Sequence, residues 1–581
     1  MKAFCFVLSV ILWCLCAPLR AQPFAPAILF NSEIILDDSY NESLLEGMKQ
    51  FQARKGISFV KEAESELDAY LQTLKNLAEA GRTPILVPGA HIRPMVESVA
   101  PQYPETTFIA IDYVLDLPNV RSVVFDEYEG AYLAGVLAAR ASVSKQVAFV
   151  GGISIKPVRS LQEGFESGFY HVKPEGRVTV RYLADVIDRP WDDVAGAYSL
   201  GKGLYQSGYD VVFVAAGNAG RGILRAAFES GKYAIGVDRN QNGLYPGHVL
   251  TSVVKHLDRA VYVALVNERW NLWRSPVKQL GLAQGGVSIS IDDHNRPLLT
   301  PSRFEEIEQI REGILLGYSL QTIERGLQIS EIEKPDLIEL VIPAEAQPPF
   351  IVHSEFGPAG LAFDAMELAG KQLGVDVDFR VLPTRRGEHL IKHDQVDGML
   401  FALWSSELEE HGEFPRRTGQ LDEDRAMMIW DLAAYQRKED VKNGTFVPRS
   451  PFTVPPGFGR DKVDGLKQQE VHVIETPERQ LRMLLRGHTN TALADAVYTD
   501  YLIAATPVFS DNLIKISPSM AKESSYLVLS ESFYQRYPAF SEQLWNRLSE
   551  IRESVALWDN VERYFAEAGL DLRTTTSGNG D

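Results

Sequence analysis

His389 and His393 stand four residues apart, the spacing that puts two imidazoles on one helix face to share a metal ion. No third ligand is indicated near them. Glu388, Lys392 and Asp394 around them read as a water-facing helix surface, so no metal is expected. The acidic pairs Asp192-Asp193 and Glu409-Glu410 are adjacent in sequence, so they diverge around a helix instead of converging on one substrate. There is neither a Gly-x-Ser-x-Gly elbow nor a His-Glu-x-x-His helix. Gly217-Asn218-Ala219-Gly220-Arg221-Gly222 lies between a strand and a helix, where phosphate cradles occur. Its glycine spacing fits neither the Walker nor the dinucleotide pattern, and a tight strand–helix turn is the plainer reading. Asp37-Asp38-Ser39-Tyr40-Asn41 is a turn and N-cap signal, with Asn41 at the start of a helix. Nothing here assembles a catalytic set. The chain is read as a non-enzyme without a cofactor.

Composition narrows the class further. Asp and Glu number 77 against 58 Lys and Arg, a net charge of −19, and such a surface has no basic surplus with which to meet nucleic acid. Apolar residues at 45% are those of a folded protein, and 581 residues are too many for one ordinary domain. The one sustained apolar run is residues 3–19. With Lys2 ahead of it and Leu19-Arg20-Ala21 behind, it reads as a cleavable signal peptide over residues 1–21, too short to anchor the chain. Cys5, Cys14 and Cys16 all fall within it, so the mature chain is expected to have no disulfide, thiolate metal site or cysteine nucleophile. Neither Cys14 nor Cys16 follows the small residues a lipoprotein signal needs. The expectation is a periplasmic protein, secreted, unanchored and without a membrane span.

The elements expected to position functional residues are strands and helices in alternation. AILF, ISFV, PILV, FIAID and SVVF alternate with helices such as ESLLEGMKQFQARKG. A second series runs through VAFVGG, VTVRYL, DVVFVAAG and YAIGVD. This rhythm argues parallel α/β lobes with helices on both sheet faces, and the unbroken apolar run DVVFVAA suits a strand buried on both sides. It fades after Trp270 into a polar helix near 304–314. The charged stretch 331–335 reads as a linker between a first half, 25–330, and a second, 336–570. The second half is again α/β, with a long polar middle at 404–450, and residues 571–581 are expected to be disordered.

The first half resembles the basic membrane protein family, type 1 periplasmic binding proteins of the purine-nucleoside-receptor kind. The resemblance rests on Asp37-Asp38-Ser39-Tyr40-Asn41, Phe125, Tyr132-Leu133-Ala134-Gly135, Phe149-Val150-Gly151-Gly152, and Gly164-Phe165 with Gly168. It continues through Ala216 to Gly220, Ile235-Gly236-Val237-Asp238 with Gln241, and Thr251-Ser252 with Lys255. It implies a nucleoside site. Tyr40 would stack on the base, Asn41 would read its edge, Asp37 would accept from a base N–H, and Asp238 and Lys255 would hold the ribose hydroxyls. Gly217 would line the cleft, although Asn218 stands where the family has a second glycine.

The second half resembles type 2 solute-binding domains of extracellular family 3, which include amino-acid receptors. The matching residues are Pro348-Pro349-Phe350, Gly360 to Asp364, Gln395-Val396-Asp397-Gly398, and Arg486-Gly487 ahead of Ala494-Asp495-Ala496. The resemblance implies Asp495 for a ligand ammonium and an arginine for its carboxylate, with Phe350 lining the site. The family's Thr-Pro-Glu-Arg is absent from its usual place, and Thr476 to Arg479 lies too late and reads as a helix start. Arg425 or Arg416 is left as an anion anchor. Together these resemblances imply two tandem bilobal receptors closing on solutes, a purine nucleoside favoured in the first, read by a membrane ABC permease or by a membrane sensor protein.

Overall fold

The computed structural model describes residues 24–567 except 271, 274–275, 316–331, 346, 355–356, 418, 442–448, 456–457, 459–465, 467–468 and 475. The expected signal peptide, the disordered tail and Glu331 of the expected linker lie outside the described residues. The described chain forms two compact units.

The first unit takes the chain up to Leu36, Met48–Val124 and a return of the chain at Ser275–Lys278. Its strands are β1 (Ala27–Phe30), β2 (Val60–Ala63), β3 (Ile85–Pro88), β4 (Phe108–Ile111) and β5 (Val120–Phe125). They lie in the order β5-β4-β3-β1-β2, each pair parallel. β1, β3 and β4 are buried end to end, as their unbroken apolar sequences require. Leu74 and Leu77 of the helix Leu67–Glu79 and Val96 and Val99 of the helix Arg93–Val99 pack with Leu29, Val87 and Phe108 to make the core.

The second unit contains Asp37–Gly47, Phe125–Arg274 and the chain from Gln279 onward. Its first sheet is built from β6 (Gln146–Gly151), β7 (Arg177–Tyr182), β8 (Val211–Ala215), β9 (Tyr233–Asp238) and β10 (Val249–Lys255). The order is β10-β9-β8-β6-β7, all parallel. A short strand, Val287–Ile289, adds antiparallel to β10. The helices Glu127–Ala141 and Lys156–Val172 approach so closely that a Cβ on Gly135, Gly164 or Gly168 would strike a backbone carbonyl of the opposite helix. These glycines are read by packing, not by turns.

The remainder of this unit is organised on a nine-stranded mixed sheet. Asp376–Leu382, Leu337–Pro343 and Gly398–Leu403 form a parallel group at one end. Thr491–Asp495, Phe452–Val454 and Val471–Val473 form another at the far end. Two long strands, Leu513–Ser530 and Met428–Arg437, join the groups through antiparallel pairing. The segment expected to be a polar middle, 404–450, therefore contains a ten-residue strand. Its alternation of buried and half-buried positions carries the signal that a search for apolar runs misses. Residues 332–335 carry neither helix nor strand, but Lys334 donates to the carbonyls of Leu373 and Gly374 and so caps the helix Leu361–Leu373.

These C-terminal elements pack on the helix Leu257–Arg269 that follows β10. The Tyr262 hydroxyl donates to Asp559 at 2.5 Å, and Trp270 stacks on Phe565 with ring centroids 4.8 Å apart. Tyr501 completes the cluster, its ring 4.5 Å from that of Phe565 and its hydroxyl on the Trp270 carbonyl.

Candidate functional site

The helix Tyr40–Lys55 starts at a carboxylate. Asp37 accepts backbone N–H bonds from Ser39 at 2.9 Å, Asn41 at 3.1 Å and Glu42 at 3.1 Å, satisfying donors that a helix N-terminus leaves orphaned. Asp37 is almost fully buried, and that burial, opposed by the three backbone bonds and reinforced by the nearby Asp238 charge, pushes its carboxyl up to about 6. The helix start is tied to the end of β9. Ser39 donates to Asp238 at 2.6 Å, Gln241 donates to the Asp38 carbonyl, and Arg239 pairs with Glu42 at 2.6 Å. Asp238 itself sits at φ 66°, a left-handed conformation that costs a non-glycine residue free energy and marks a position held by its surroundings.

Lys255, the last residue of β10, lies against this cluster. Its ammonium is 3.0 Å from Glu127, with both side chains at most 4% exposed, and it lies 5.5 Å from the Tyr40 ring centroid and 4.7 Å from that of Phe125. A buried ion pair flanked by two aromatic faces offers charge, donors and π-surface together. The structure thus brings Asp37, Tyr40, Asn41, Asp238 and Lys255 into one neighbourhood. Gly217 is elsewhere in its immediate contacts: it adopts φ 53° in the turn after β8, its nearest neighbour Trp191, and the next residue, Asn218, donates to the Asp192 carbonyl at 3.4 Å. The turn leads directly into the helix Gly220–Glu229, as a tight strand–helix turn should. Glu127, Glu42 and Arg239 carry no signal in the sequence, and Ser39 reads there only as part of a turn. Glu127 is 128 residues from Lys255, and a charge alone does not name so distant a partner.

In the second half, a cleft enclosing about 1260 Å³, open solvent at its mouth included, is lined by Phe350 and Asp495 together with Phe401, Trp430, Tyr498 and Trp273. Asp495 ends the strand Thr491–Asp495 and caps the next helix by accepting from the Tyr498 N–H at 3.1 Å. Its Oδ2 is buried, and the backbone N–H of Asp431 also reaches the carboxylate. Burial, with Asp431 and Asp500 nearby, pushes the carboxyl up to about 7. Arg425 does not line this cleft. It is buried beside a smaller hollow, 3.4 Å from Asp422 and 2.6 Å from Glu542, so two carboxylates already engage its guanidinium. Arg416 pairs with Glu409. His389 and His393 bring their rings to 4.2 Å, yet no group of three His, Cys, Asp or Glu among the described residues could hold a metal.

Parallel α/β sheets with a charged, aromatic cluster at the strand ends define the first half as a periplasmic-binding-protein-like fold. The chain belongs to the Bmp family, ABC transporter substrate-binding proteins of the PnrA-like kind, whose profile matches residues 25–318. Basic membrane protein A1 of Borrelia garinii subsp. bavariensis is 32% identical over 302 residues, which cover 50% of this chain and 88% of that protein. Basic membrane protein A2 of the same organism is 28% identical over 302 residues with the same coverage. Among solved structures, an ABC transporter system solute-binding protein from Aeropyrum pernix K1 aligns at 22% identity and a TM-score of 0.47, over 51% of this chain and 92% of that one. The family is one of solute binding, not of catalysis, and it implies a small-molecule ligand and a membrane permease partner. No helix among the described residues is long and apolar enough to cross a membrane.

Proposed function

We propose that this chain is a periplasmic receptor whose first half captures a purine nucleoside and passes it to an ABC importer. One observation carries the reading: Tyr40, Lys255 and Asp238, far apart in sequence, meet at the capped start of one helix. A purine would stack on Tyr40, Asn41 would bond its edge, and Asp238 and Lys255 would take the ribose diol. Asp37 presents Tyr40 and Asn41 by holding the turn before them, and Gly217 lets the chain turn after β8. The periplasmic location is supported by the signal-like residues 1–21. The second half is read as a type 2 solute-binding domain whose Asp495 cleft takes a solute presenting an ammonium group, the part of the amino-acid-like expectation that its lining supports.

Thermal unfolding of the refolded chain tests the first half, since refolding strips copurified ligand. A nucleoside at about 100 times its Kd adds about 2.7 kcal/mol to the part that binds it, a shift of several degrees. Inosine, adenosine or guanosine is expected to produce that shift, and Tyr40→Ala to remove it. A shift from another solute with none from nucleosides would discard the nucleoside and direct attention to Asn218. Copurification with a permease supports uptake; a kinase or cyclase in its place would make the chain a sensing subunit.

A further inference from the structure

The charge inventory of the second-half cleft is lopsided. Glu345, Glu388, Asp431 and Asp495 line it, against the single cation Lys522, and no arginine lines it among the described residues. Lys522 is the cross-strand partner of Asp431, so the two side chains share one face and offset one another. Three carboxylates remain. They come from different elements of the nine-stranded sheet and the helix beside it. Glu345 follows Leu337–Pro343 and accepts from the Thr384 hydroxyl at 3.0 Å, while Glu388 lies one helical turn beyond Thr384 on the helix Thr384–Lys392. Asp431 and Asp495 belong to the paired strands Met428–Arg437 and Thr491–Asp495. The apolar part of the lining includes Phe350, Phe401, Leu403, Met428 and Trp430.

A zwitterion entering this cleft would bring its carboxylate among Glu345, Glu388 and Asp495, with no arginine among the described lining residues to receive it. An alkyl chain carrying an ammonium at each end meets a different reception. Its ammonium groups find carboxylates in the lining, the aromatic faces favour cations, and the methylenes find apolar wall. Asp495, whose carboxyl is buried, lines the same cleft. We infer that the second half binds an aliphatic di- or polyamine without a carboxylate, an assignment that rests on reading this half as a solute receptor.

Isothermal titration of the full chain with putrescine and spermidine, beside L-lysine, L-alanine and L-glutamate, tests it. The expected result is one diamine per chain, weakened at least tenfold by Glu388→Gln and by Glu345→Gln, both at half-buried positions where loss of fold is not expected. Putrescine affinity should also fall with added salt more steeply than that of any amino acid. Tighter binding of lysine than of putrescine would assign a carboxylate anchor and overturn the amine assignment while leaving the receptor reading intact. So would preference for alanine or glutamate. Several weak sites unaffected by either substitution would be surface attraction to an acidic protein and would overturn it as well. If no solute of any class binds while inosine still shifts the first half, the receptor reading of the second half falls with it.

Discussion

At the scale of single residues, the first-half cluster shows how one carboxylate can be structural and titratable at once. Asp37 has a folded pKa near 6 against an ordinary value of 3.8. A raised carboxylate pKa means that folding favours the protonated form, so the associated stability is fully present below pH 3.8 and is lost as pH rises through 6. The difference corresponds to about 3 kcal/mol. Asp37→Asn keeps an acceptor for the cap and removes the proton. Its stability relative to the parent chain should therefore rise between pH 4 and pH 7, which denaturant melts at several pH values will show; a flat difference would mean that Asp37 is not held in a raised state. The sequence exposed much of this neighbourhood through the family resemblance that implies Tyr40, Asn41, Asp238 and Lys255, residues the fold places at a helix start and two strand ends. Glu127 and Ser39 stayed hidden, since their roles are bonds to residues 128 and 199 positions away.

At the scale of elements, what could be read from sequence follows burial. β1, β3, β4 and β8 are buried on both faces and appear as unbroken apolar runs. β2 is an edge strand whose Lys61 and Glu62 face water, so the apolar run ISFV places it too early. Leu513–Ser530 and Met428–Arg437 alternate or mix polar residues, so no apolar run marks them although they knit the second half together. The glycines of the helix pair Glu127–Ala141 and Lys156–Val172 mark a second kind of legibility, a backbone approach that only hydrogen permits. Gly168→Ala would press a methyl on the Tyr132 carbonyl and should cost about 1–3 kcal/mol. Gly203, in the interior of the helix Val194–Gln206, has open space where its Cβ would be, and Gly203→Ala should stabilise by about 0.4–1 kcal/mol. Paired melts of the two variants separate close packing from helix propensity, and equal effects would refute the packing account.

At the scale of the molecule, the two halves of the sequence are not beads on a string. Trp273, from the segment after the helix Leu257–Arg269, lines the cleft of the second half, while Trp270 is sealed by Tyr501 and Phe565 from the C-terminal helices. A cleft in one half is therefore finished by a residue of the other. The Phe565 ring is wholly buried, and Phe565→Ala is expected to cost about 3–5 kcal/mol through lost burial and the cavity left behind. If the sheet of β6 to β10 and the nine-stranded sheet open as one cooperative body, that loss should appear in amides of both. Hydrogen exchange would then quicken in β8 and β9 as well as in Thr491–Asp495. Faster exchange confined to the C-terminal helices and Thr491–Asp495, with β8 and β9 unchanged, would mean that the aromatic cluster joins two independently stable halves. In that case ligand capture in one could not report to the other through this contact, because a coupling needs an element whose equilibrium both sites bias.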